Sequence, residues 1–427
     1  MTMNSNTVQT RKLALIGVGL RSVSIRRQMP ASIADNWRVC ALWDVDPRRF
    51  EVYATEFHDA PPPKTYLGRE NFDRLLAEQR PDLAFIATRD CSHAEYIIAC
   101  LDAGIDVVVE KPMVTDCAQV RAVLAAEARS SATIRVAFNY RYNAVHAAIK
   151  RELEAGRIGR VTAVEMTVYL GEAHGSSYFQ RWNRYRAESG GLTIHKAGHF
   201  LDLLQWWIGQ KPVELFGYSA LNYYGPDGEM NPSRRDGRRC RSCDEASLCA
   251  YQQTRERKAG PGSHYRAGEG GYTGYNPDAC IFDSDIDIED TYASVIRYDG
   301  TTMATFSVNF SSPFEQFRVV FNGTRGRLEY GYAFGKEGSY DGAGKALVHY
   351  PLFSQKPPEV IPVVQRAGGH GGADPAMLED IFTDIAQNTC RASSKDGAYA
   401  VALGEAMWRS PEEKRPIRMD ELLQEWY

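Results

Sequence analysis

The sequence predicts an α/β protein in two parts: a doubly wound parallel sheet over residues 1–140, then an α+β domain with an open, largely antiparallel sheet over 141–427. Three observations carry this. Short, almost wholly apolar runs alternate with helix-like stretches up to about residue 140, as strands do when helices cover both faces of their sheet. A Gly17-Val18-Gly19 turn follows the first run directly. Beyond residue 140 the runs alternate between apolar and polar residues, the pattern of half-buried antiparallel strands.

Residues 12–17 read as a first strand, a helix follows from about Ser22, and 37–44 reads as a second strand ending in an acid, which completes a βαβ unit. Residues 83–87 fit a third strand, 93–103 a helix, 106–109 a strand, 115–129 a helix and 134–138 a further strand. In the second part the strand patterns fall at 160–170, 213–218, 292–298, 302–310, 317–322 and 326–330. Between them, 223–290 is rich in Gly, Arg and Cys with little periodicity and reads as a long excursion held by local staples. No internal repeat is present.

With 427 residues, 44% hydrophobic and 24% charged, the chain is long enough for two cores and too apolar for disorder. A net charge of -4 supplies no surplus of cations for a nucleic-acid backbone, the run from Arg234 to Arg241 excepted, so nucleic acid is set aside as a partner. Met1 to Thr10 lacks the apolar core of a signal peptide and no apolar run approaches bilayer length, so the expectation is a cytoplasmic protein with no membrane partner. Nine cysteines are sparse here. Cys40, Cys91, Cys100 and Cys117 fall in or near apolar segments, where reduced cysteine acts as a small hydrophobe, and disulfides are not expected.

The glycine loop bears the marks of a Rossmann dinucleotide site. Gly17 suits the tight turn after the strand, Gly19 lets backbone approach a pyrophosphate, and the free N–H groups at the helix start, Leu20 to Ser22, favour that anion. The third glycine of the usual fingerprint is absent; Ser22 is small enough for close packing and Arg21 adds charge near a phosphate. Asp44 can accept hydrogen bonds from the adenosine ribose and repel an additional phosphate, so NAD is favoured over NADP, with Arg48 and Arg49 pulling the other way. Thr88-Arg89-Asp90 and His93 follow the third strand, where such a loop could line the nicotinamide ribose; His93 equally reads as the start of the next helix. Glu110-Lys111-Pro112 closes the run 107–109 at a carboxyl end of the sheet, where ligands bind in such folds. Lys111 would face nicotinamide and substrate and stabilise developing alkoxide charge, with Glu110 orienting it or touching the cofactor.

Taken with Asn139-Tyr140-Arg141-Tyr142 and the block from Gly190-Gly191 to Asp202, these motifs resemble the glucose-fructose oxidoreductase, inositol dehydrogenase and rhizopine-catabolism (Gfo/Idh/MocA) family over nearly the whole chain. The resemblance implies an N-terminal Rossmann domain, a C-terminal domain whose open sheet often mediates homo-oligomerisation, and nicotinamide-dependent redox chemistry on sugars, polyols or their derivatives. One position departs. Many dehydrogenases of this family carry an aspartate four residues before the histidine matched by His199, and here that residue is His195. On a helix, His195 and His199 would share a face as i and i+4, Lys196 and His199 as i and i+3, with Asp202 one turn beyond His199. Neutral His199 would accept the carbinol proton, Lys111 would polarise the oxygen, and His195 or Lys196 would tune or replace one of them; buried, hydrogen-bonded histidines are the bland alternative.

Sugars present hydroxyl edges and apolar ring faces, so the aromatic and basic segment from Tyr178 to Tyr185 makes either a carbohydrate wall or a subunit contact. Asn139, Tyr140, Arg141, Trp182 and Asp202 are the substrate candidates, joined by His370, whose glycine-dense loop the resemblance brings near the substrate opening. Cys240 and Cys243 have the spacing to wrap one tetrahedral ion, and Cys249 and Cys280 would complete an all-cysteine structural zinc site. An iron–sulfur cluster uses the same ligands, and unliganded thiols remain the other reading. A subgroup of the same family carries a similar cysteine-rich excursion.

The resulting expectation is an NAD-dependent oxidoreductase acting on a sugar, cyclitol or sugar-derivative hydroxyl. Two alternatives stay open: a glycosidase or lyase that oxidises a ring carbon transiently, eliminates and returns the hydride, and a noncatalytic NAD-binding, sugar-responsive protein.

Overall fold

The computed structural model describes residues 10–30, 33, 35–253, 275–334, 346–364, 366–383 and 388–427. Six parallel strands form the first sheet: β1 (Arg11–Ile16), β2 (Trp37–Asp44), β3 (Lys64–Leu67), β4 (Leu83–Ile86), β5 (Asp106–Val109) and β6 (Ile134–Val136), in the order β3-β2-β1-β4-β5-β6. Their central members are wholly buried, which is why they read as unbroken apolar runs. The edge strand β3, Lys-Thr-Tyr-Leu, was not foreseen; it buries only Tyr66 and carries no pattern that a sequence reading can catch. Connections reverse direction between β1 and β4, opening a crevice at the strands' carboxyl ends.

Nine strands form the second sheet: β7 (Val161–Gly171), β8 (Pro212–Ala220), β9 (Thr291–Tyr298), β10 (Met303–Ser312), β11 (Glu315–Gly323), β12 (Gly326–Phe334), β13 (Leu347–Pro351), β14 (Glu359–Ile361) and β15 (Ile417–Arg418), in the order β14-β13-β12-β11-β7-β10-β9-β8-β15. β7 and β10 pair parallel; the other neighbours run antiparallel. Strict alternation along β9 puts one face in the core, while Tyr218, Val295 and Met303 stand exposed on neighbouring strands.

The boundary near residue 140 does not close the first core. The helical segment Gly369–Thr383 returns to the first sheet, and its Met377, Leu378, Ile381 and Phe382 pack with Leu13, Leu15, Val39, Leu42, Phe85 and Val108. Trp37 Nε1 donates to the Phe382 carbonyl at 2.9 Å. Burying four such side chains contributes several kcal/mol of apolar transfer energy, so late residues stabilise the early sheet.

Candidate active site

Gly17 ends β1 with φ +84°, and a Cβ there would stand 2.7 Å from the Ala87 carbonyl oxygen at the end of β4. Close passage of two backbones therefore requires glycine. Gly19 is different: a Cβ there meets nothing within 4 Å, and no side chain caps the helix Leu20–Gln28 that it opens. Leu20 is 67% exposed beside that opening, and the Ser22 hydroxyl bonds back to the Gly17 carbonyl. Unsatisfied N–H groups at such a helix start, with room before them, suit a pyrophosphate. Asp44 accepts from the backbone N–H of Val18 at 2.7 Å and of Asp46 at 2.9 Å, which fixes its carboxylate at the mouth of the loop.

Arg21 commits its guanidinium to carboxylates. Its Nε donates to Glu110 at 2.6 Å and its terminal nitrogens to Asp374 at 3.3 Å. Asp374 also accepts from Asn139 at 2.8 Å and pairs with His370 at 2.7 Å. Although burial works against its charge, these partners hold the Asp374 carboxyl well below the usual carboxylate range. His370, Gly371 and Gly372 all have positive φ, a bend that brings His370 and Asp374 onto the dinucleotide loop.

Just past the end of β4, Thr88 shares a hydrogen bond with Ser92 at 2.8 Å, and Arg89 reaches Glu188 at 3.5 Å. His93 opens its helix but is buried, and its Nδ1–H donates to the Pro112 carbonyl at 2.9 Å, tying that helix to the Glu110-Lys111-Pro112 turn. Lys111 Nζ donates to the carbonyl of His195 at 3.0 Å. Burial pushes the Lys111 ammonium down, Lys196 and Arg21 act in the same sense, and Asp90 and Glu110 oppose them.

His195 and His199 do not share a helix face. The helix breaks at Lys196 and Ala197, between Leu192–His195 and Gly198–Ile208, where the N–H groups of both residues turn back to the one Leu192 carbonyl and the turn widens. His195 Nδ1 lies 2.5 Å from Asp90 Oδ2, and its Nε2 lies 3.2 Å from the Asn183 amide nitrogen. Burial raises the Asp90 carboxyl and lowers His195, so both are driven toward their neutral forms. The position that carries histidine in place of aspartate thus meets an aspartate supplied by the first domain. His199 stacks on Tyr140 with centroids 4.3 Å apart. Burial first, then the cations of Lys111 and Lys196, hold His199 neutral well below the usual histidine range, and its Nδ1 is buried without a hydrogen-bond partner.

A cavity of about 380 Å³ opens beside this centre, lined by Tyr140, His174, Lys196, Glu315, Gln316 and Tyr332 among others. His174 Nδ1 lies 3.0 Å from Glu315 and its Nε2 3.0 Å from the Tyr178 hydroxyl, a hydroxyl–imidazole–carboxylate chain on the cavity wall. Trp182 meets the His195 ring edge-on at 5.6 Å. Arg141 and Asp202 are instead committed to each other: Arg141 Nε and Nη2 reach the two Asp202 oxygens at 2.9 and 2.6 Å, and Asp396 takes a further bond. Fully buried and mutually saturated, they brace the wall instead of facing a ligand.

Two family models match: "Oxidoreductase family, NAD-binding Rossmann fold" over residues 11–138 and "Oxidoreductase family, C-terminal alpha/beta domain" over 150–419. The chain belongs to the Gfo/Idh/MocA oxidoreductase family. It is 40% identical to the "Putative oxidoreductase YteT" of Bacillus subtilis (strain 168), over 97% of this chain and 99% of that protein. It is 29% identical to an inositol 2-dehydrogenase of Rhizobium meliloti (strain 1021), over 50% of this chain and 59% of that one. A levoglucosan dehydrogenase solved with NADH and L-sorbose shares the fold at a TM-score of 0.68 with 14% identity, covering 96% of this chain and 99% of that chain. No described helix is long and apolar enough to cross a membrane.

Within this Gfo/Idh/MocA chain, all four cysteines of the excursion, Cys240, Cys243, Cys249 and Cys280, line one cavity of about 20 Å³. The structure thus unites residues that are distant in sequence: Cys240 N–H bonds to the Asp278 carbonyl and Cys280 N–H to the Arg238 carbonyl. Among the described residues, however, no three His, Cys, Asp or Glu side chains converge as metal ligands. Burial pushes the Cys280 thiol up to about 12, which keeps it protonated where no cation compensates the charge.

Sequence reasoning passed over His174, Glu315 and Asp374 as site residues, and it placed Asp90 in the loop after the third strand without its histidine partner. Only Asp90 had a local signal, an acid just past the end of a buried strand; the other three reach the site through long-range packing.

Proposed function

We propose that this chain is an NAD-dependent oxidoreductase that moves a hydride between nicotinamide and a carbinol of a sugar, cyclitol or sugar derivative. The observation that carries the proposal is the unpartnered, buried Nδ1 of a neutral His199 within electrostatic reach of the Lys111 ammonium. A base that must accept a proton at neutral pH has to be uncharged, and burial keeps it so. Lys111, anchored on the His195 carbonyl, donates to the substrate oxygen and stabilises its developing negative charge. Tyr140 positions the His199 ring by stacking, and the Asp90–His195 pair lies behind Lys111 as a proton reservoir. NAD, when bound, supplies the hydride acceptor; Gly19 with the start of its helix, Asp44, Thr88 and Glu110 are the residues we assign to holding it.

The same reading includes a cytoplasmic homo-oligomer, consistent with the exposed apolar residues of the second sheet, and a structural zinc, for which the four cysteines that line one pocket would have to turn their thiols together, since they do not converge as they stand. About one zinc per chain in protein purified without chelator supports that metal; a folded, metal-free preparation removes it. The chain Tyr178–His174–Glu315 favours the transient-oxidation alternative as a second reading, because a second acid–base group serves departure of a leaving group and a simple dehydrogenase has no need of one. A screen of sugars and glycosides that follows both NADH absorbance and glycan products separates the readings. Net NADH supports the dehydrogenase, cleavage without NADH supports the alternative, and NAD binding with neither refutes both.

A further inference from the structure

Resting on that assignment of the site, we infer that the substrate is an acidic sugar, a uronic or aldonic acid whose carboxylate is held by Lys196 while a neighbouring hydroxyl is oxidised. Lys196 is only 8% exposed, yet it lines the cavity of about 380 Å³. Two further cations, Lys111 and Arg181, do not line the cavity but stand near enough to act together with Lys196 on His195. None of the three makes an ion pair within 4 Å among the described residues. Lys111 spends a bond on a backbone carbonyl, Arg181 bonds to the Ser177 carbonyl and hydroxyl, and Lys196 faces the Tyr140 ring at 5.9 Å.

The carboxylates nearby are committed elsewhere. Glu315 accepts from Gly171 N–H and pairs with His174, Asp90 pairs with His195, and Glu110 and Asp374 are taken by Arg21. Burial penalises the charge of Lys196, but the surrounding phenols of Tyr140 and Tyr178 and the Glu315 carboxylate outweigh it, so the ammonium stays charged. An oxidised nicotinamide would add one more positive charge to this centre. With the ammonium kept charged and no carboxylate within 4 Å of it among the described residues, a carboxylate that enters the cavity meets a buried, charged donor, which a neutral sugar engages more weakly. Lys196 is the contact; Arg181 and Lys111 supply the field.

The test uses the full-length enzyme with NAD and matched pairs that differ in one carboxylate: D-glucuronate against D-glucose, D-galacturonate against D-galactose, and D-gluconate against D-glucitol. Calorimetry reads binding and absorbance reads NADH. For at least one pair the acid should bind about tenfold or more tightly than its neutral partner, as a charge-assisted hydrogen bond allows, with the gap shrinking as salt is added. Lys196→Met should close that gap at unchanged NAD affinity, and Arg181→Gln, at a more accessible position, should narrow it even if the first variant fails to fold. Neutral partners binding as well as the acids, or no acid binding at all, would overturn the inference. Should neutral sugars alone yield NADH, the oxidoreductase reading survives and the acidic substrate does not. Acids that bind at the Lys196 site without NADH or glycan products leave only the carboxylate contact standing and overturn both the oxidation of its neighbour and the function proposed above.

Discussion

Replacing Gly19 by alanine adds a single methyl group where no other part of the protein lies within 4 Å, at a φ of -81° that any residue adopts. Folding should barely register it. Glycine is the better helix cap, but alanine restricts the unfolded chain, and the two effects leave stability within about 1 kcal/mol of the parent. Binding should register it strongly, because the methyl fills the space we assign to the pyrophosphate; a tenfold or greater rise in the NAD Kd, about 1.4 kcal/mol, is expected. Gly17→Ala inverts the pattern. Its φ of +84° and the Cβ approach of 2.7 Å to Ala87 O and 2.9 Å to Thr88 N put it against backbone that cannot yield. Strain of about 1–3 kcal/mol plus that clash should lower Tm by several degrees. Thermal melts paired with calorimetric titration of NAD read both quantities. Parent-like NAD affinity in the Gly19 variant would refute the loop as the phosphate cradle, and parent-like melting of the Gly17 variant would refute the packing argument.

Lys111→Met should cut turnover about 10²–10³-fold, as loss of one transition-state donor does, with NAD affinity retained; parent-like rates on a sugar that yields NADH would remove Lys111 from the chemistry. Because burial pushes the Lys111 ammonium down to about 8, the parent's oxidation rate should decline as pH rises through that value, and a rate still climbing well beyond it would exclude the ammonium as the donor. Asp374 has a folded pKa depressed below its unfolded value of about 3.9, so its contribution is present above that pH and lost as pH falls through the folded value. Asp374→Asn should therefore cost about 1–3 kcal/mol at neutral pH and flatten the acid limb of stability, which urea melts across pH would reveal.

The central strands of the first sheet were legible because burial on both faces leaves nothing polar in them; β3 was not, because an edge strand of four residues with one buried side chain has no period to read. In the second sheet the long strands announced themselves by alternation, whereas β13, β14 and β15 are too short to do so. The long helix Ser394–Glu413, rich in alanine and glycine, also went unread. Lys111 and His199 stand at positions that motif and spacing mark, so they could be named in advance. What His195 does could not: its partner Asp90 lies 105 residues earlier, and neither Lys196 nor Ala197 is a residue that marks a helix break. Arg141 and Asp202 show the opposite error, in which polar residues near a marked motif turn out to neutralise each other.

Trp37 waits 345 residues for the carbonyl of Phe382. During synthesis, then, the nascent nucleotide-binding half emerges with part of one side of its sheet, around Leu13, Val39 and Phe85, uncovered until residues 377–382 have left the ribosome. A fragment cut near residue 140 inherits that bareness permanently and should clump in solution. The segment Gly369–Thr383 is thus the early sheet's intramolecular chaperone as well as its wall, and truncations that reach it should be felt in the nucleotide-binding half.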